Sequence, residues 1–210
     1  MAEGGHFYAG IDLGAVLSSE SEQTYIPGLG AGSTGHVTTG HELGFSASAV
    51  YGYDFGWVRA EIEAGYVSAD VDEVTTDFPL PGSSSPADIG SFSAEGDVAA
   101  QAFMANLIFD VGVVSDFTFF VGGGAGVAQL DFSALARSSS GAFLDDDNDE
   151  WLFAWQAMAG VRKPLSEKID IHVRYRYISV DETELIGFGG RVVYPGFTAH
   201  AVSAGITFNF

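Results

Sequence analysis

Apolar and polar residues alternate at period two along most of this chain, and loop-forming stretches interrupt the alternation. Phe7, Ala9, Ile11, Leu13 and Ala15 share one face of a strand whose other face carries Tyr8, Gly10, Asp12 and Gly14. The clearest case comes late in the chain. There Ile169, Ile171, Val173, Tyr175 and Tyr177 oppose Asp170, His172, Arg174 and Arg176. The pattern predicts eight strands, at about residues 6–17, 39–53, 57–67, 96–111, 117–130, 150–162, 169–180 and 197–210. The connections after the first, third, fifth and seventh strands are long, and those after the second, fourth and sixth are short. Pro27, Pro79, Pro81, Pro86 and Pro195 fall in the long connections and Pro164 in a turn, so no predicted strand contains proline.

Composition explains what the alternation is for. Mean hydropathy is +0.19 although the net charge is −20, so charge and apolar surface must be segregated. No apolar run reaches the roughly 18 residues of a spanning helix, which leaves a closed barrel as the route across a bilayer. The expected fold is therefore all-β: a single eight-stranded antiparallel up-and-down transmembrane β-barrel over residues 1–210, with four long extracellular loops and three short periplasmic turns. A soluble lipocalin-like barrel would need its apolar faces inside, the reverse of the third and seventh strands. With no cysteine there is neither a disulfide nor a thiolate metal site. The opening Met-Ala-Glu-Gly-Gly lacks the basic and apolar regions of a signal peptide, which suggests a mature exported form with a start Met added.

Charge placement adds candidate chemistry. Acidic residues concentrate in the long loops, where Arg137 and Arg191 are the only basic ones, and Arg162, Lys163 and Lys168 cluster at one short turn. Arg59, Arg174 and Arg176 fall on inward faces, where they should meet Glu61, Glu63, Asp12 and Asp110, with His172 in the same group. Eight strands leave a lumen that side chains can fill. The group therefore reads as a salt-bridge plug, with a gated path for ions or small solutes as the alternative. Asp145, Asp147 and Asp149, inside the run from Asp145 to Glu150, offer oxygen ligands at alternate positions, either as a weak calcium site or as a solvated loop tip. Trp151, Trp155, Tyr66 and Tyr177 near one rim and Tyr51, Tyr53, Phe55, Trp57, Phe119 and Phe208 near the other read as interfacial belts rather than a ligand cleft.

Arg59-Ala-Glu-Ile-Glu-Ala-Gly-Tyr66, Val173-Arg-Tyr-Arg-Tyr177 and the ending Phe208-Asn-Phe210 resemble the opacity-type and OmpA-like surface proteins of Gram-negative bacteria, and most of all the surface antigens of alphaproteobacteria. The likeness covers the strands and fades in the loops, which here are long and acidic. It implies a bacterial outer-membrane location, no cofactor, and a structural or adhesion-type role. Phe208 and Phe210 would be the assembly signal read by the outer-membrane assembly machinery. The other expected partners are the lipid bilayer, lipopolysaccharide bridged by divalent cations, and a host or environmental surface ligand, with no nucleic acid. Some small barrels are lipid-modifying enzymes built on His with Ser and an acid; His36, His41 and His200 lie toward the loop side, in reach of a metal or a catalytic Ser, and replacement of His41 or His200 would test that role.

Overall fold

A computed structural model describes residues 5–26, 35–76, 90–136, 151–181, 185–187 and 191–210, with side chains placed over 5–17, 44–70, 99–131, 151–181 and 197–210. The strands are β1 (His6–Ile26), β2 (Gly35–Asp54), β3 (Val58–Thr76), β4 (Gly90–Val114), β5 (Phe117–Ala136), β6 (Trp151–Ser166), β7 (Ile169–Val180), β8 (Leu185–Gly187) and β9 (Arg191–Asn209). Every pairing is antiparallel, and β9 closes on β1 from Asn209 opposite Tyr8 to Val192 opposite Ile26. Both β7 and β8 pair with β9, Val180 opposite Phe197 and Leu185 opposite Val193. They form one wall in two pieces, so the barrel has eight walls.

The predicted faces are the observed ones. Ile62 (64% exposed), Leu13, Phe103, Phe153 and Val173 face outward, while Tyr8, Asp12, Glu61, Glu63, Asn106 and Arg174 are buried inside. An outward apolar face is stable only against lipid, and the backbone tolerates lipid because closure leaves no unpaired strand edge along the spanning region. The aromatic belts sit at both ends of this band. Phe103 with Trp151 and Trp155 with Tyr177 lie toward the long connections, while Tyr53 with Phe55 and Trp57 with Phe109 lie toward the turns.

The strands run further than the alternation foretold. Residues 18–26, 68–76, 90–95 and 131–136, read from sequence as loop, continue the ladders, with Ser19 opposite His41 and Ser21 opposite Thr39. Beyond the bilayer both faces of a wall can meet water, so the two-residue pattern fades although the backbone pairing persists. Register shifts mark the change, between Val16 and Ser18, Gly40 and Gly44, and Asp70 and Glu73. Rims are where bulges concentrate.

Two prolines expected outside strands lie within them. Pro164 is in β6 beside a register shift, and Pro195 is in β9 opposite the interval between β7 and β8, so the ladder has little use for the missing N–H at either position. The β6–β7 turn accordingly shrinks to 167–168. At the β2–β3 turn Gly56 takes φ +106°, and its N–H donates to Asp54 Oδ1 at 2.6 Å.

Candidate functional site

The inward side chains are stacked in three tiers, and parity along each strand is what sends them inside. At the turn end, Arg162 on β6 pairs with Asp110 (2.6 Å), Asp54 (3.3 Å) and Asp170 (3.7 Å), and Arg59 on β3 pairs with Asp110 (3.0 Å). The Phe120 ring separates this tier from the next, with the Arg59 and Arg174 guanidiniums 5.0 and 5.7 Å from its centroid. In that geometry the ring's negative face meets two cations.

The middle tier holds the buried pairs. Arg174 donates to Glu61 at 3.3 Å, and the Tyr8 hydroxyl donates to the same carboxylate at 2.8 Å. His172 Nε2 lies 2.6 Å from Asp12 Oδ1. Arg176 bridges Asp12 (3.3 Å), Glu63 and the Ser48 hydroxyl (2.8 Å). Asn106 and Gln156 each donate an amide N–H to Glu63, at 2.7 and 2.9 Å. Room for them comes from β5, whose inner face is bare at Gly122, Gly124 and Gly126; a Cβ on Gly124 would overlap the Asn106 side chain. The bare inner face of β5 leaves the space this amide pair occupies.

Above lies a tier of another character. Val16, Val67, Ala100, Leu130, Ala154, Val180, Phe197 and Ala199 are buried together, with Ser46 of β2, opposite Val67, as a polar side chain at that height. Among the described residues the lumen is thus lined by paired charges below and mainly by apolar side chains above.

All the predicted lumen residues, Asp12, Arg59, Glu61, Glu63, Asp110, His172, Arg174 and Arg176, face the interior and pair among themselves. Arg162 requires a correction. The sequence groups it with Lys163 and Lys168 at one short turn, whereas its side chain enters the lumen, because its parity matches Gly160 and Met158 and Asp54, Asp110 and Asp170 await it there. Lys163 does lie at the turn end, 5.0 Å from the Phe117 ring centroid. Sequence reading missed Asp54, Asn106, Gln156 and Tyr8 as members of the network, and it missed the apolar tier. Phe208 and Phe210 face outward at the turn-side rim. His200 is on the outer wall, with Nδ1 2.6 Å from the Tyr175 hydroxyl and its ring against Tyr177. Asp145, Asp147 and Asp149 lie outside the described residues, as do the side chains of His36 and His41.

Comparison with known proteins agrees with this architecture. A family model for the outer membrane protein beta-barrel domain matches residues 2–210. An uncharacterized protein of Brucella abortus (strain 2308) is 27% identical over 130 residues, covering 51% of this chain and 46% of the relative. The chain thus spans about half the length of the curated relatives it matches. The outer membrane protein OprG from Pseudomonas aeruginosa superposes with a TM-score of 0.66 at 12% identity, over 99% of this chain and 97% of that one. The outer membrane protease OmpT from Escherichia coli superposes with a TM-score of 0.52 at 10% identity, over 98% and 97%. Likeness at such identities speaks for the fold alone. On the match across nearly its whole length, the chain belongs to the outer membrane protein beta-barrel domain family and is a protein of the bacterial outer membrane.

Proposed function

We propose that this barrel is a structural and surface-interaction protein, presenting acidic extracellular loops from a lumen closed to solutes. The observation that supports this most is the pairing of charges inside. Every charged side chain of the two lower tiers has an opposite charge within 3.7 Å. A buried pair with its hydrogen bonds made is costly to break, so the tiers act as a fixed plug. The apolar tier adds a stretch where a hydrated ion would lose most of its shell with little compensation. The test is conductance of the full chain in planar bilayers. The reading expects a baseline like that of lipid alone, whereas discrete steps would overturn it in favour of a narrow channel for ions or small solutes.

Within its family we infer that the chain is nearest the opacity-type and OmpA-like surface proteins, on Arg59–Tyr66, Val173–Tyr177 and Phe208–Phe210. The partners in this reading are the bilayer, the assembly machinery through Phe208 and Phe210, and an external surface reached by the loops. Lipopolysaccharide would be bridged by divalent cations, and calcium would bind weakly at Asp145, Asp147 and Asp149. If a chelator leaves binding to lipopolysaccharide vesicles unchanged, the bridging is wrong. The reading includes no catalytic role. It is supported there by the position of His200, held on the outer wall by Tyr175 and apart from the lumen carboxylates.

A further inference from the structure

Among the described residues, three buried donors in the lumen find no acceptor: the Nε atoms of Arg59, Arg174 and Arg176. Two of these side chains line small cavities. Arg176 borders one of about 30 Å³ whose walls are largely apolar, with Asp12, Ser46, Ser48, Glu63, Gln156 and Ser203 on its polar side. Arg59 borders one of about 10 Å³, together with Tyr8, Asp170, His172 and Thr207. By this measure a water needs roughly 10–15 Å³ and two to four polar partners, so the smaller cavity suits one water and the larger about two. Neither has room for an organic solute.

The two cavities meet at one contact. Asp12 belongs to the upper and His172 to the lower, and their side chains are 2.6 Å apart. We propose that the lumen holds structural water sites on both sides of the His172–Asp12 pair, forming with that pair a protic column from the turn-side mouth to Glu63 and Gln156. The ligand is water and its ionic forms. The apolar tier bounds the upper cavity through Val67, Ala100, Val180 and Phe197, so the column is blind toward the loops. The lower lumen is then a hydrated dead end reached from the periplasmic side, in place of a dry plug. This rests on the barrel interior and is independent of what the loops bind.

Arg174 is the internal control. It borders neither cavity, and its guanidinium lies over Phe120. The test uses the full chain labelled with ¹⁵N-arginine in lipid bilayers, reading magnetisation transfer from water to each Nε–H by solid-state NMR. Arg59→Lys, Arg174→Lys and Arg176→Lys assign the signals. If a variant does not fold, through-space contacts to the Phe120 ring separate Arg59 and Arg174 from Arg176. Water transfer at Arg59 and Arg176, and its loss at Arg174, is the expected result. Silence at Arg59 and Arg176, or equal transfer at all three, overturns the proposal.

Discussion

Glu61→Leu is the sharpest test of the middle tier. Glu61 accepts from both terminal nitrogens of Arg174, at 3.3 and 3.5 Å, and from the Tyr8 hydroxyl at 2.8 Å. Among the described residues Arg174 has no other carboxylate within ion-pair reach, and it is 1% exposed. Removing Glu61 leaves a buried cation with no carboxylate in direct contact and a buried hydroxyl that has lost its acceptor. Breaking a buried pair from one side costs about 3–5 kcal/mol. Three orphaned donors at about 1–3 kcal/mol each give about 3–9 kcal/mol before relaxation, a range whose lower part agrees. Asp170→Asn is the contrast. Arg162 keeps Asp54 and Asp110, so that loss should stay near 1 kcal/mol, the worth of one replaceable hydrogen bond. The assay is urea unfolding from lipid vesicles, followed by emission from Trp57, Trp151 and Trp155, all on the outer surface. Pairing Glu61→Leu with Arg174→Met should restore at least half of the loss, since neutral packing can replace an ion pair. The reasoning is refuted if Glu61→Leu costs less than about 1 kcal/mol, or if the double variant is no more stable than the single.

Other outcomes are expected from the same geometry. Gly124→Ala should cost about 1–3 kcal/mol, because its Cβ would meet Asn106 and the Ala105 carbonyl, whereas Gly112→Ala, with nothing within 4 Å, should be neutral in the same unfolding assay. Ile62→Arg on the lipid face, midway along the spanning part of β3, should cost about 2–4 kcal/mol, against about 0–1 for Val114→Arg at the turn-side rim. Phe210→Ala should lower the amount of heat-modifiable barrel recovered from outer membranes while leaving refolding of purified chain into detergent unchanged. Equal loss in both would make Phe210 a packing residue and remove its role as an assembly signal.

Parity along the chain was enough to establish which face each residue of the spanning strands occupies. A strand places successive side chains on opposite sides whatever its neighbours do, so Asp12, Arg59, Glu61, Glu63 and Arg174 were legible as inward from their own segments. The order of long and short connections similarly told loops from turns. Height inside the barrel was a different matter. It depends on the register between walls, which is a property of pairs of strands and is written in neither alone. Register puts Asp110 opposite Phe120 and Asp54 opposite Arg59, and so creates at the turn end the carboxylate cluster that draws Arg162 inside. It also gathers Val16, Val67, Leu130, Val180 and Phe197 from five walls into one apolar tier, although each looks in its own segment like a strand-end residue. Sequence alone thus determined the strands, their faces and the membrane they suit. Only the closed tertiary structure decided which charges pair, where the lumen turns apolar and which buried donors remain without a partner among the described residues, because those depend on atoms brought together across the barrel.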